Sequence, residues 1–189
     1  IVSYEKITNA GTVVNRCVYD VPNANYEIKN YSYGTLTVRP RPLLVVTVSN
    51  NSHIYDATAF SDAGYQTYYY GDNTKQGLLN GDGLTVKTFK SVTNALNYVA
   101  NECTYDVPNA NYEIKDYSYG ILVVQPRPLT VKTADAGKVY DGIPLSKPDG
   151  YSVEYYGDNS KKGLLNGDSL TLKTFNSIVN ATNFAENEC

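Results

Sequence analysis

The chain has 189 residues, with 16 Lys and Arg against 19 Asp and Glu and a net charge of −3. That near balance supplies neither the basic stripe of a nucleic-acid binder nor the acidic block of a solvating tail. A hydrophobic content of 42% argues against disorder, and apolar runs such as 43–46 are far too short to cross a membrane.

In chain order, the first distinctive stretch is 18–34, VYDVPNANYEIKNYSYG. Arg39-Pro40-Arg41-Pro42 follows. Proline fixes φ and removes a donor, so this run predicts a strand end and a short, stiff joint. Residues 43–48 are rich in Leu and Val and predict a strand; turn clusters stand at 71–73 and 80–83, with an alternating strand at 84–88. Residues 91–101 come nearest to a helix, but their β-branched residues and Asn oppose one. A turn at 107–109 precedes a strand at 111–114, and Tyr119-Gly120 predicts a hairpin joining 112–116 to 121–124. Beyond Gln125-Pro126-Arg127-Pro128, strands are predicted at 129–132, 151–156 and 170–174.

The decisive feature is an internal repeat. Residues 104–120 repeat 18–34 with two of 17 positions changed, and the block from Tyr69, YYGDNTKQGLLNGDGLTVKTF, returns from Tyr155. Both shifts are 86 residues, as are the spacings between Cys17, Cys103 and Cys189. The proline joints divide the chain into 1–40, the C-terminal part of a repeat; 41–126, one complete repeat; and 127–189, the N-terminal part of a third. Residues 18–40 are the counterpart of what the third repeat lacks, which admits two readings: head-to-tail completion by a neighbouring molecule, or a chain cut from a longer protein or with its structural boundaries elsewhere. The absence of Met suggests a segment of a longer or processed protein. Six or seven short strands per repeat predict an all-β fold of tandem small immunoglobulin-like β-sandwich repeats, with β-grasp-like repeats as the alternative.

Candidate sites are few. His53 is the sole histidine; its counterpart by motif is Lys138, so neither a histidine triad nor a histidine-rich metal site is expected, and His53 reads as a surface residue. Asp72, Asn80 and Asp82, repeated as Asp158, Asn166 and Asp168, offer oxygen ligands for calcium but match no calcium-loop spacing; turn chemistry explains them as well. Cys17, Cys103 and Cys189 are buried free thiols or inter-subunit cross-links, since equivalent positions in strung domains lie too far apart to pair within a chain. Tyr68, Tyr69, Tyr70, Tyr155 and Tyr156, with the cluster 117–119, are candidates for a glycan- or protein-binding face, or half-buried strand residues. Lysines near Asn and Asp admit isopeptide cross-links, and Asn30, Asn50 and Asn180 match the glycosylation sequon. No cofactor is indicated.

The order of motifs resembles the YDG/MBG-type tandem repeats of bacterial surface, adhesin-like proteins. It runs from Leu129-Thr-Val through Lys138-Val-Tyr-Asp-Gly142 and Gly163-Leu-Leu-Asn-Gly-Asp168 to Asn111-Tyr-Glu-Ile and Gly120-Ile-Leu-Val-Val-Gln-Pro126. Tyr55-Asp56-Ala57 departs from it, lacking the glycine, and its turn need not adopt positive φ. The resemblance implies an extracellular location on a prokaryotic cell surface and assigns no catalytic residue. The expected role is a non-catalytic structural array, an adhesin stalk or filament subunit. Its partners would be neighbouring repeats or copies of itself and host or cell-surface glycan or protein, with neither nucleic acid nor membrane insertion. A carbohydrate- or protein-binding module using the tyrosines is the alternative.

Overall fold

In the computed structural model, which describes residues 3–95, 97–181 and 186–188, every regular element is a β-strand. The front part contains β1 (Ser3–Tyr4), β2 (Gly11–Val14), β3 (Cys17–Val18) and β4 (Thr35–Val38). The complete repeat contains β5 (Arg41–Thr47), β6 (Asn50–Ile54), β7 (Tyr65–Tyr69), β8 (Asp72–Gln76), β9 (Thr85–Thr88), β10 (Tyr98–Ala100), β11 (Thr104–Asp106), β12 (Tyr112–Ser118) and β13 (Ile121–Gln125). The third repeat adds β14 (Leu129–Thr133), β15 (Tyr151–Tyr155) and β16 (Asp158–Lys162). The fold is all-β, built from several small mixed and antiparallel sheets. Contacts group residues 1–50, 61–91 and 98–122 into one unit and 51–60, 92–97 and 123–189 into another.

In the first unit the main sheet has the order β12-β5-β7-β8. β5 has the period-2 pattern of a strand with one face on the core: Leu43, Val45 and Thr47 are buried, and Leu44 and Val46 less so. It pairs antiparallel with β7, Leu43 opposite Tyr69 and Thr47 opposite Tyr65, and parallel with β12, Tyr112 opposite Arg41 and Tyr117 opposite Val45. The parallel ladder shifts register between Ile114 and Asp116. That bulge matters, because a plain strand would turn Tyr117 away from the face that carries Tyr112 and Ile114. With it, Ile114 and Tyr117 both pack on the core of Val45, Cys103 and Tyr105, while Leu43, Leu78 and Tyr112 form an adjoining cluster. β9 and β11 close this side as an antiparallel pair.

The predicted hairpin at Tyr119-Gly120 does not form. β12 stays beside β5, whereas β13 joins a different sheet of order β10-β13-β6. Thr47, Asn101 and the Val48 backbone hold the chain at Gly120 and carry it across instead of turning it back. Among the strands not predicted, β8 and β16 are polar throughout and β6 is polar but for Ile54, which hid them from a hydrophobic-pattern reading.

In the second unit, β14, β15 and β16 form an antiparallel sheet with the pairing of β5, β7 and β8; Leu129 lies opposite Tyr155 and Thr133 opposite Tyr151. Residues 170–174, expected as a strand, lie outside any ladder. Their copy, β9, is held in its ladder by β11.

Candidate functional site

The acidic turn residues are occupied by backbone chemistry. Asp72 Oδ1 accepts from the Thr74 amide (3.1 Å) and hydroxyl (2.6 Å), and Lys75 sits 2.9 Å from its other oxygen. The Thr74 hydroxyl and then the Lys75 ammonium hold this carboxyl down at about 2. Asp158 repeats the arrangement with Ser160 and Lys161 and is likewise lowered. Asn80 and Asn166 have φ of 57° and 52°, each followed by a positive-φ glycine, and Asp82 N and Asp168 N bond back to the carbonyls of Leu79 and Leu165. These are Asn-Gly turns of type I′, which need positive φ at both central residues. Asp82 accepts the Tyr112 hydroxyl at 2.6 Å. Among the described residues no group of three His, Cys, Asp or Glu is arranged to hold a metal ion.

The tyrosines do not share one face. Tyr68 and Tyr69 are adjacent in β7 and point to opposite sides of the sheet. Tyr68 donates to Gln66 at 2.6 Å, while Tyr69 is covered by the Arg41 guanidinium at 4.8 Å and by Lys75 at 5.9 Å. Tyr155 has the same two cations, Arg127 at 4.5 Å and Lys161 at 5.9 Å. Tyr70 and Tyr156, at the hairpin turns, are exposed, and Tyr117 and Tyr119 stack at 5.6 Å.

His53 is not a free surface side chain: it is half-buried, stacked on Phe60 at 4.5 Å, with Nε2 3.4 Å from Asp56. Lys138 lies 2.7 Å from Asp141, so the pairing of His53 with Lys138 by motif matches a shared contact to the turn aspartate. Ala57 contradicts the expectation for its turn, adopting φ 68° beside Gly142 at 77°. The Asp56 carboxylate, accepting from the Thr58 amide and hydroxyl, fixes the turn whatever residue follows.

Cys103 is a fully buried free thiol whose Sγ donates to Asn101 Oδ1 at 3.2 Å. Cys17 is free and half-buried, its Sγ 3.3 Å from Asn15 Oδ1. Cys189 lies outside the described residues.

Two constellations escaped the sequence reading. One is an arginine clamp. Arg41 donates to the carbonyls of Gly77 (2.7 Å) and Gln76 (2.6 Å), and Arg127 to those of Gly163 and Lys162 (both 2.8 Å). Each pins the start of its repeat to the far hairpin, and the recurrence of Arg-Pro at 41 and 127 was its signal. The other is a buried polar knot. Thr47 Oγ1 donates to the Asn101 carbonyl (2.9 Å) and accepts from Gly120 N (3.0 Å), Asn101 N donates to Gly120 O (2.8 Å), and Asn101 Nδ2 donates to Val48 O (2.9 Å). Its signal was the thrice-recurring Asn-x-Cys at 15–17, 101–103 and 187–189.

The third repeat carries part of this knot: Thr133 Oγ1 donates to the Asn187 carbonyl and Asn187 Nδ2 to Ala134 O, both at 2.9 Å. Two cavities open there. One of about 960 Å³ is bounded by Thr133, Lys138, Tyr140, Ile178 and Asn187; another of about 470 Å³ by Val131, Asp149, Tyr151, Leu170 and Leu172. Comparison of the chain with protein-family models, curated proteins and solved structures finds no match in any of the three.

Proposed function

We propose that the chain is a stretch of a non-catalytic extracellular repeat array on a prokaryotic cell surface, serving as an adhesin stalk or filament element. Its work is reach and tensile continuity. The observation that carries this reading is the parallel pairing of β5, the first strand of the repeat, with the late strand β12. Pulling on the two ends of such a repeat draws these strands in opposite directions, so the ladder's hydrogen bonds are loaded together and not one by one. The parallel pair flanked by β7 also favours the β-grasp-like arrangement over the immunoglobulin-like sandwich. The motif order of YDG/MBG-type repeats supports the surface location.

Single-molecule stretching of linked chains tests the mechanical role. Discrete unfolding peaks spaced by roughly 25 nm are expected for an 86-residue repeat at about 3.4 Å per residue, less its folded length. Featureless extension would refute it. Antibody labelling of intact cells tests the location.

A second reading, a glycan- or protein-binding module, rests on Tyr70 and Tyr156, exposed at equivalent hairpin turns. Selective binding on a glycan array, lost in Tyr70→Ala and Tyr156→Ala, would favour it.

A further inference from the structure

We infer that the Asn111 side chain is a latch between consecutive repeats, gripping an Asn-Ala loop of the repeat before and turning the proline joint from a hinge into a strut. The inference rests on the repeat-array reading and names the contact that stiffens the array.

A proline joint by itself leaves freedom. Pro40 and Pro42 fix their own φ, but Arg39 and Arg41 before them keep a range of about 40° in ψ. Two bodies joined by one such covalent path swing about it. A second attachment, set away from the first, removes the swing.

Asn111 supplies that attachment. Its carbonyl accepts from the backbone N of Arg41, the first residue of β5, at 2.7 Å. Its Oδ1 accepts from Ala10 N at 2.6 Å, and its Nδ2 donates to Asn9 Oδ1 at 3.1 Å. Asn9 and Ala10 belong to the front part and lead into Gly11, which starts β2 and lies opposite Val38 at the end of β4. The result is a closed ring. It runs from Ala10 and Gly11 across the ladder to Val38, along the chain through Pro40 to Arg41, across to Asn111 and back to Ala10. All of these residues fall within the first compact unit.

Local turn chemistry does not account for the Asn111 side chain. Asn111 N donates to Asn109 Oδ1 at 2.9 Å, and in the front copy Asn25 N donates to Asn23 Oδ1 at 3.0 Å. That turn uses the side chain of the first Asn in Pro-Asn-Ala-Asn and only the backbone of the second. The second is nevertheless Asn in both copies, 22–25 and 108–111. Its catch recurs as well. Asn-Ala stands at 9–10, 94–95 and 180–181, ahead of the Asn-x-Cys at 15–17, 101–103 and 187–189. Latch and catch therefore repeat with the array.

The joint at Pro126 is gripped too, by other residues, within the second unit. Arg127, the residue after that proline, donates to Tyr55 O at 3.4 Å, and Asn166 Nδ2 lies 3.4 Å from the Tyr55 hydroxyl. A loop of the complete repeat there holds the first strands of the third.

The test uses the full 189-residue chain under reducing conditions, read by amide hydrogen exchange and NMR relaxation. In the parent, the Ala10 amide should be protected, and β2 and β4 should tumble with β5. Asn111→Ala should speed exchange at Ala10 by at least about fivefold, as expected for two lost hydrogen bonds, and give β2 and β4 motion of their own. Exchange in β5 and β12 should stay as in the parent, because Asn109 still holds the turn. Asn111→Asp keeps the acceptor for Ala10 N and lets Asn9 turn its amide to donate, so it should behave as the parent. Asn25→Ala changes the same place in the copied turn and should loosen nothing. Unchanged Ala10 exchange in Asn111→Ala overturns the inference, as does independent tumbling of β2 and β4 in the parent, or equal loosening by Asn25→Ala. Discrete stretching peaks together with a joint indifferent to Asn111→Ala refute the latch and leave the repeat-array reading standing. Featureless stretching with the Ala10 amide protected through Asn111 confirms the contact and refutes that reading instead.

Discussion

Replacing Asn101 with Ala removes the centre of the polar knot. Its Nδ2 no longer reaches Val48 O, formerly at 2.9 Å, and the fully buried Cys103 thiol loses its 3.2 Å acceptor. A carbonyl left unpaired away from water costs about 1–3 kcal/mol, and the small void adds about 1 kcal/mol. The expected loss is therefore about 2–4 kcal/mol, a large share of the roughly 5–15 kcal/mol that stabilises a domain. Asn187→Ala deletes the matching bond to Ala134 O, also 2.9 Å, at an exposed site where water replaces it, and should cost under about 0.5 kcal/mol. Urea titrations followed by tyrosine fluorescence give both values, and hydrogen exchange in β5 and β12 localises the first. Losses equal within about 0.5 kcal/mol would refute the claim that burial gives the knot its strength.

Ala57→Gly should raise the melting temperature, relieving about 1 kcal/mol of strain at φ 68°, as read by calorimetry. Arg41→Lys keeps the charge but loses the fork that spans the carbonyls of Gly77 and Gln76, and should cost about 1–2 kcal/mol in the same urea titration. Asp72 has a folded pKa lowered from 3.8 to about 2, so its contribution to stability is present above 3.8 and is lost as pH falls towards 2. Asp72→Asn should flatten the acid limb of the melting-temperature profile across that window. If Asp72, Asn80 and Asp82 are turn residues and not ligands, neither calcium nor a chelator will shift the melting temperature of the chain.

Where side chains alternate, the elements were legible. The strands at 43–48, 129–132 and 151–156 appear almost where the pattern places them, because one face must be buried. Partnership was harder to read. Tyr119-Gly120 has the composition of a hairpin turn, yet β12 and β13 part there because Val48 and Asn101 occupy the inner side of the bend. Residues 170–174 have the pattern of β9 but lie outside any ladder, whereas β9 is paired with β11. A strand needs a neighbour as well as a pattern. The arginine clamp and the knot act largely through backbone carbonyls, which carry no residue identity, so only their recurrence at 86-residue spacing could have disclosed them.

The pairing of β5 with β12 also dictates an order of events during folding. The two strands lie some 70 residues apart in sequence, so β5 must wait until late in the repeat for its neighbour, and such non-local pairing is slow. Meanwhile residues 18–34 are at hand, already synthesised, and differ from 104–120 only by Val18 for Thr104 and Asn30 for Asp116. Neither change falls on Tyr112, Ile114 or Tyr117, the side chains that β12 turns to the core. A nascent β5 therefore has little means of telling its own late strand from the copy behind it. Partner choice rests on the reach of the chain rather than on recognition, and lengthening or loosening the joint at Arg39-Pro40 should increase mispaired, slowly refolding species.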